Sequence, residues 1–365
     1  MSNIKRIALT GGPCGGKTTS IQKIMEEFSE KGYQVLVVPE AATLLINMGI
    51  KPFGENALNP FEFQKLILET CFYLENMAYN KAIQSDVDTI IVCDRGTLDS
   101  KAYIDRDGYR ALLNHFDIKE SDLMKNYDLV IHLRTAALGK SEFYTLDNNG
   151  ARTETIEEAI EKDNKTLNAW LGHSNLKIIG NDTDFNGKIN NVISEIYDIL
   201  DKPYPIQRQY KYLVNNINSL MLSSISYVKQ DIEQYVISYE GKEVILRKTV
   251  KDGEISYTAV TKIDTNINNE RITTRKNITD KEYEMLLPLN SKPIKKERYC
   301  FEYKNQYFRL DIFDNGMTVL EIEETNKTKK INIPSFINIG ENITDNKEYR
   351  NSSIYRKIND KVKHL

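Results

Sequence analysis

The spacing of apolar residues changes part-way along the chain, and this change predicts two kinds of domain. Over residues 1–203, short continuous apolar runs alternate with stretches in which apolar residues recur every three or four positions. Continuous runs are typical of strands buried on both faces of a parallel sheet, and the wider spacing is typical of amphipathic helices. In the first such helix the predicted buried stripe is Ile21, Ile24, Met25 and Phe28. This half is therefore predicted to be an α/β domain, a parallel sheet with flanking helices.

Residues 204–365 instead carry short alternating or β-branched runs, separated by turn signals such as Asp252-Gly253. Such runs are typical of antiparallel strands joined by hairpins. About eight antiparallel strands with one helix, opened by a capping box at Thr279 and Glu282, predict a closed or nearly closed β-barrel, because closure removes exposed strand edges. The strand candidates are residues 210–214, 232–238, 243–250, 255–263, 269–278, 298–303, 307–313, 318–323 and 330–333.

A proline-containing connector separates the two patterns. Pro203 and Pro205 stop a helix and stiffen the chain, so the predicted domains are residues 1–203 and 204–365. The length of 365 residues agrees with two domains. The net charge of −3 argues against a protein that mainly coats nucleic acid. It divides unevenly, because the first domain carries 22 Lys and Arg against 30 Asp and Glu, and the second carries 27 against 22.

The strongest motif is Gly11-x4-Gly16-Lys17-Thr18, which lies between a buried strand and an amphipathic helix. In that context glycines let backbone N–H groups surround a phosphate, a lysine reaches the outer phosphates, and a hydroxyl binds Mg²⁺. Cys14 is interpreted as a small filler rather than a nucleophile. The predicted nucleotide-binding residues are Gly11, Gly12, Pro13, Cys14, Gly15, Gly16, Lys17, Thr18 and Thr19.

Charged residues follow the next two predicted strands. Glu40 comes after one strand, and Asp94 and Arg95 end the other. Ligands bind at the carboxyl ends of such strands, so Glu40 is expected to engage an acceptor or, alternatively, to cap the following helix. Asp94 is expected to hold Mg²⁺ or to deprotonate an acceptor. Arg95 is expected to reach an acceptor phosphate or sugar, or to form a surface salt bridge.

A polar, glycine-containing segment at residues 134–155 has the composition of a lid, and the capping box of Thr155 and Glu158 predicts a helix after it. Arg134 or Arg152 would place positive charge on the transferring phosphoryl group. An ordinary solvated charge is the alternative for Arg152. His132, within a predicted strand, is interpreted as a core histidine rather than a ligand.

The segments GGPCGGKTT, VVPEAA, VCDRGTLDSKAY, NGARTETIEEA and IIGNDTDFNGK together resemble the P-loop kinase-type NTPases related to nicotinamide-riboside kinase and thymidylate kinase, over about residues 4–200. This resemblance implies that Glu40, Asp94 and Arg95 serve acceptor binding and phosphoryl transfer. It also places Phe63 and Gln64 where related nucleoside kinases contact a base. The alternative for that pair is helix packing for Phe63 and solvent exposure for Gln64.

The second half resembles the CYTH or triphosphate tunnel fold through KKERYCFEY, YFRLDIF, VLEIEE, ITDNKEYRNSSI, LRKTV and AVTK. In that fold a barrel points basic residues at a polyphosphate and acidic residues at divalent metals. The charges here recur at alternate strand positions, so they are expected to share one side of the sheet and, inside a barrel, to line its lumen. The alternative, which alternation alone favours, is a half-buried sheet whose charged face is its solvated outer face. The resemblance implies phosphate-facing residues Lys211, Arg247, Lys262, Lys296, Arg298 and Arg309, and metal-facing residues Asp311, Glu321 and Glu323.

The second half also departs from the tunnel pattern. The Glu-x-Glu-x-Lys strand that opens active tunnel enzymes is matched by Gln207-Arg-Gln209-Tyr-Lys211, and a later strand carries Thr273 and Arg275 where further acids are frequent. Glutamine keeps the length of glutamate but lacks the charge that holds a hard divalent cation. The barrel is therefore expected to bind a phosphorylated ligand with weakened metal-dependent hydrolysis, or to regulate the first domain.

The motifs together predict an ATP- or GTP-dependent phosphotransferase that uses Mg²⁺, with a nucleoside, a nucleotide or an RNA 5′ end as acceptor. One alternative is a nucleotide-dependent switch whose barrel binds a partner protein or a phosphorylated lipid headgroup. Another is a triphosphatase acting in the barrel. Four separated cysteines, no signal-peptide pattern and no long apolar stretch predict a cytoplasmic protein without a membrane span.

Overall fold

The computed structural model of the chain describes residues 3–139, 155–200, 209–239, 242–264, 271–323 and 331–360. These residues belong to two compact units, Met1–Tyr197 and Asp198–Leu365. Each unit is built on a sheet of its own. Within the residues that are described, no helix is both long and apolar enough to cross a membrane.

The first unit contains a five-stranded parallel sheet in the order β2-β3-β1-β4-β5. Its central strands are buried on both faces, as the continuous apolar runs predict; Ile7, Ile91 and Ile131 have no exposed surface. The predicted α/β architecture is confirmed. The strands are β1 (Ile4–Gly11), β2 (Gln34–Val38), β3 (Thr89–Asp94), β4 (Leu129–Leu133) and β5 (Leu176–Ile179).

Seven helices of the described residues accompany this sheet, together with a 3₁₀ turn at Thr97–Ala102. The first helix buries Ile21, Ile24 and Phe28, but Met25 is 43% exposed, so its predicted place in the buried stripe is wrong. The buried arc of that helix extends toward Ser20 instead. The helices are α1 (Lys17–Glu30), α2 (Ala41–Asn47), α3 (Pro60–Ile83), α4 (Arg106–His115), α5 (Glu120–Lys125), α6 (Ile156–Trp170) and α7 (Phe185–Leu200).

The second unit contains a nine-stranded antiparallel sheet in the order β10-β9-β8-β7-β11-β12-β13-β6-β14, which confirms the predicted antiparallel class. Its strands are β6 (Gln209–Ile217), β7 (Tyr227–Tyr239), β8 (Lys242–Lys251), β9 (Glu254–Asp264), β10 (Arg271–Ile278), β11 (Ile294–Tyr303), β12 (Gln306–Phe313), β13 (Thr318–Glu323) and β14 (Ile337–Asn342). Three helices of the described residues complete it, namely α8 (Ser219–Leu222), α9 (Asp280–Leu286) and α10 (Asn351–Asp360).

The last strand differs from its predicted position at residues 330–333. Ile331 and Ile333 are not in a strand; they pack against an apolar cluster around Phe301 and Phe308. The chain joins the sheet only after Pro334, a residue without a backbone N–H for a strand ladder. Apolar alternation therefore identified two side chains that pack against the core, although they are only partly buried, and placed the strand too early.

The two faces of this sheet have different cores. The face that contains Phe301 and Phe308 is apolar. The opposite face carries a second apolar cluster, which includes Ile245 of β8 and Ile354 of α10. Helix α10 is further tied to the sheet by a hydrogen bond from Ser352 to the carboxylate of Glu243. The strand register places the charged residues predicted for the tunnel on this second face.

Candidate functional site

The phosphate loop connects β1 to α1 at the carboxyl end of the central strand. Gly16, which precedes the helix, has a φ of 91°, a left-handed conformation that favours glycine. The Nζ of Lys17 donates hydrogen bonds to the carbonyl oxygens of Gly11 and Gly12, at 3.1 and 3.0 Å. Burial, assisted by the charge of Arg95, lowers the pKa of Lys17 to about 8 against the opposing effect of nearby carboxylates. The lysine is thus held on its own loop in a position from which it can move to a phosphate.

Asp94 ends β3 and pairs in register with Leu9 of β1, shortly before the phosphate loop. Its Oδ1 atom is buried and has no hydrogen-bond partner. Burial raises the pKa of Asp94, although the charge of Lys17 opposes the effect. A buried carboxylate oxygen without a partner requires an explanation, and a divalent cation supplies one. With the exposed hydroxyl-bearing Thr18, the residues present fit Mg²⁺.

A charged cluster at the ends of β2 and β3 is centred on Arg95. Its Nε lies 2.5 Å from Glu40 Oε1, and its Nη1 lies 3.2 Å from Asp99 Oδ2. Arg95 adopts a φ of 69°, which is unusual for a residue with a side chain and is typical of functional sites. Burial alone raises the pKa of Glu40, but the Arg95 charge, the Thr43 hydroxyl and the Lys17 charge lower it to about 2. Glu40 is therefore ionised at neutral pH.

Asp99, in the 3₁₀ turn, is a further carboxylate of this cluster that sequence reasoning missed. Besides Arg95, it accepts hydrogen bonds from Thr10 Oγ1 at 2.7 Å and from Trp170 Nε1 at 2.6 Å. It is 4% exposed. Arg95 precedes the 3₁₀ turn in a left-handed conformation, so no helical spacing in the sequence indicated its contact with Asp99.

Asp163 of α6 is a second missed carboxylate, and it contacts the phosphate loop directly. Its Oδ1 accepts hydrogen bonds from the N–H of Gly12 at 2.8 Å and of Thr135 at 3.2 Å. The same atom lies 3.1 Å from His132 Nε2, and Oδ2 lies 2.9 Å from Arg134 Nη1. Burial opposes ionisation, but His132, Arg134 and the Gly12 N–H together lower the pKa of Asp163. His132 is fully buried, in agreement with its interpretation as a core histidine.

Phe63 and Gln64 lie next to each other on α3 and are 4% and 6% exposed. The alternative interpretation is therefore wrong in its solvent exposure of Gln64, whereas the packing that it gave Phe63 is observed. The Oε1 atom of Gln64 is buried without a hydrogen-bond partner. Contact of these two residues with a base stays a prediction.

The candidate residues of the second unit are brought together by strand register. Arg298 lies opposite Asp311, Arg309 opposite Glu321, and Glu321 opposite Lys211. Directly opposed residues on neighbouring antiparallel strands point to the same face. Following the pairs across the sheet places the predicted phosphate-facing residues on one face, namely Lys211, Arg247, Lys262, Lys296, Arg298 and Arg309.

Two acidic residues of this face, Asp311 and Glu321, are already neutralised by cations. Arg298 contacts both oxygens of Asp311, at 2.6 and 2.7 Å, and Glu321 Oε2 at 3.1 Å. The Nζ of Lys296 lies 2.5 Å from Asp311 Oδ2, and the Nζ of Lys211 lies 2.8 Å from Glu321 Oε1. Despite burial, these cations lower the pKa of Asp311 and hold that of Glu321 well below its usual range.

Asp311 and Glu321 therefore do not fit a divalent metal, which would have to displace the cations already bound to their oxygens. Among the described residues, no group of three or more His, Cys, Asp or Glu is arranged to hold a metal ion. The side chain of Glu323, the third predicted metal-facing residue, lies outside the described residues, as do Arg152 and Gln207.

Arg247 contributes a buried positive charge with an unused hydrogen-bond donor to the same face. Its Nη2 donates to Gln234 Oε1 at 3.4 Å, whereas Arg247 Nε and Gln234 Nε2 are buried without partners. Burial, together with the charges of Arg298 and Arg275, lowers the pKa of Arg247 to about 9. Crowded cations and unused N–H donors are the chemistry of an anion site.

The family comparison bears on the first unit. Residues 6–188 match the AAA_28 family model, described as an AAA domain. The chain belongs to this family. In this AAA domain, the predicted residues Lys17, Glu40, Asp94 and Arg95 influence one another electrostatically, so the fold brings them together. A P-loop NTPase domain implies a bound nucleoside triphosphate, typically with Mg²⁺.

No curated protein matches the chain. Among solved structures, the chain is similar to one titled as the hypothetical protein NE1496, at 20% identity and a TM-score of 0.30, covering 42% of this chain and 99% of that one. It is also similar to one titled as the inorganic triphosphatase NE1496, at 20% identity and a TM-score of 0.29, covering 41% of this chain and 93% of that one.

Proposed function

We propose that the AAA domain is an ATP-dependent phosphotransferase that acts on a small acceptor of nucleoside or nucleotide type. The observation that carries this proposal is the unpartnered Oδ1 of Asp94, which lies within the electrostatic influence of both Lys17 and the Glu40–Arg95 pair. A hydrolase needs only a phosphate loop, a metal ligand and a positioned water. The additional ion-paired cluster supplies fixed hydrogen-bonding groups for a second substrate.

Each group has a role in this proposal. Lys17 leaves the loop carbonyls and binds the outer phosphates. Thr18 and Asp94 would hold Mg²⁺, which would supply positive charge to the triphosphate. Glu40, ionised and fixed by Arg95, accepts a hydrogen bond from the acceptor. Arg95 in turn presents its remaining N–H donors to an acceptor phosphate or sugar oxygen.

The test measures ATP and GTP consumption by the full chain with and without nucleosides, nucleotides and an RNA 5′ end. Acceptor-dependent turnover supports the phosphotransferase, and Asp94→Asn should abolish it while Asp86→Asn, an exposed acid before the same strand, leaves it unchanged. Slow turnover that no acceptor accelerates would contradict the proposal and favour the nucleotide-dependent switch.

We further propose that the antiparallel domain binds a phosphorylated ligand without a metal. The unpaired donors of Arg247 and Gln234 support this function, and the neutralised Asp311 and Glu321 argue against metal-dependent triphosphatase activity. The test is a calorimetric titration of inorganic triphosphate into the full chain, with a chelator present to remove divalent metal ions. The chain carries Lys17→Ala, so that the nucleotide site of the AAA domain does not contribute.

Arg247→Gln should abolish the heat of binding in that titration. Lys248→Gln is the matched control, because adjacent strand residues point to opposite faces. Equal binding by both variants would contradict the proposal. A soluble phospholipid headgroup in place of triphosphate separates a lipid ligand from a free polyphosphate, and hydrolysis with Mn²⁺ would instead favour the triphosphatase.

A further inference from the structure

Helix α6 contacts the phosphate loop and the acceptor-side cluster with two residues of one rigid element. Asp163 binds the N–H of Gly12, and Trp170 donates to the carboxylate of Asp99. The two residues are seven positions apart, about two helical turns, and therefore lie on the same side of the helix. Both are fully buried.

The contact with the phosphate loop leaves no free space. A Cβ atom on Gly12 would lie 2.7 Å from the Cβ of Asp163, closer than carbon atoms pack. The Gly11–Gly12 peptide is held on both sides, because its N–H donates to Asp163 and its carbonyl oxygen, that of Gly11, accepts from Lys17. Moving the Lys17 ammonium to a phosphate removes one of these two restraints.

The contact at the other end of α6 is equally close. A Cβ on Gly96 would lie 2.6 Å from Trp170 Cζ2. Trp170 Nε1 shares the carboxylate of Asp99 with Thr10 and Arg95. A small displacement of α6 therefore changes the surroundings of the group that holds Arg95.

We propose that Asp163 is a positioning residue through which α6 couples occupancy of the phosphate loop to the Arg95–Asp99 pair. Release of Lys17 from the Gly11 carbonyl shifts the peptide that Asp163 holds, and the packed helix transmits the shift to Trp170 and Asp99. The close contacts at Gly12 and Gly96 favour this transmission, because close-packed interiors transmit strain. The inference rests on the nucleotide binding of the proposed function.

The chain reports this coupling itself, because Trp170 is its single tryptophan. The full chain is titrated with a non-hydrolysable ATP analogue and Mg²⁺ under excitation selective for tryptophan, and calorimetry measures binding in the same samples. The expected result is a saturable change in Trp170 emission that follows calorimetric binding. Binding without any change in emission would overturn the coupling, whereas absence of calorimetric binding would overturn the nucleotide site itself.

Two variants test the role of Asp163. Asp163→Ala should lose the emission change at saturating nucleotide, and Asp163→Asn, which retains an acceptor for the Gly12 N–H, should recover part of it. Glu161→Gln removes the same charge from a side chain of α6 that is 63% exposed, and this variant should respond like the unaltered chain. If Asp163→Ala does not fold, loss or reduction of the response in Asp163→Asn decides the question. An undiminished response in the folded Asp163 variants would overturn the proposal.

Discussion

The Nε of Arg95 donates to Oε1 of Glu40 at 2.5 Å, although the two residues are 55 positions apart in the sequence. The two residues follow neighbouring parallel strands, and Arg95 adopts a left-handed backbone conformation at this point. A backbone strained at the carboxyl edge of a sheet fixes a side chain where ligands bind in α/β folds. The strained backbone at Arg95 therefore fixes the Arg95–Glu40 pair at the proposed acceptor site.

Substitution of Lys17 by alanine should abolish stabilisation of the AAA domain by nucleotide. A ligand present at 100 times its Kd stabilises a folded domain by about 2.7 kcal/mol, and the variant should lose this amount because its loop no longer carries the charge that meets the phosphates. Thermal unfolding with and without MgATP measures the effect. Lys23→Ala on the exposed side of α1 is the control, and equal stabilisation of both variants would mean that the phosphate loop is not the main nucleotide site.

The secondary structure could be predicted because short-range patterns determine it. The glycines of the phosphate loop predict the turn before α1, and the alternation of side chains predicts β11. Each signal lies within a few consecutive residues. The alternation along β11 distinguishes Lys295, whose side chain is 51% exposed, from Lys296, whose side chain is 2% exposed. The AAA domain and the antiparallel sheet follow from many such signals in order along the chain.

The partners of individual carboxylates could not be predicted in the same way. Glu161 and Asp163 lie two positions apart in one polar helical stretch, yet the first is exposed and the second is fully buried. The hydrogen bond that distinguishes Asp163 joins it to Gly12, 151 positions away. No local pattern contains that information, because it arises only when α6 packs against the phosphate loop.

Acidification should destabilise the first unit in part through Glu40. The pKa of this carboxyl is lowered from 4.5 to about 2 in the folded chain, so its contribution is complete above the unfolded value and is lost as pH falls toward 2. The contribution is about 3 kcal/mol at most. Urea unfolding followed by Trp170 emission, above and within this interval, should give a smaller loss of stability on acidification for Glu40→Gln than for the unaltered chain. Identical pH profiles would assign the acid sensitivity to other groups.

Nucleotide affinity should fall as pH rises through about 8. Burial places the pKa of Lys17 near this value, and the neutral amine that forms above it no longer attracts phosphate. Calorimetric titration with MgATP across this interval measures the effect. Lys17→Arg keeps its charge at every pH of the series, so the affinity that it retains should be independent of pH there. A parallel decline in this variant would contradict the assignment to Lys17.

Loss of the Asp311 charge should destabilise the antiparallel sheet more than loss of any exposed acid. Asp311→Asn leaves Lys296 and Arg298 buried without the carboxylate that both contact, and breaking a buried ion pair in this way costs about 3–5 kcal/mol. Asp314→Asn, in the exposed turn after the same strand, removes an equal charge and should cost under about 0.5 kcal/mol. Hydrogen–deuterium exchange of the β11 and β12 amides measures both, since these strands carry the affected side chains. Equal protection in the two variants would contradict the prediction and mean that Lys296 and Arg298 find other compensation.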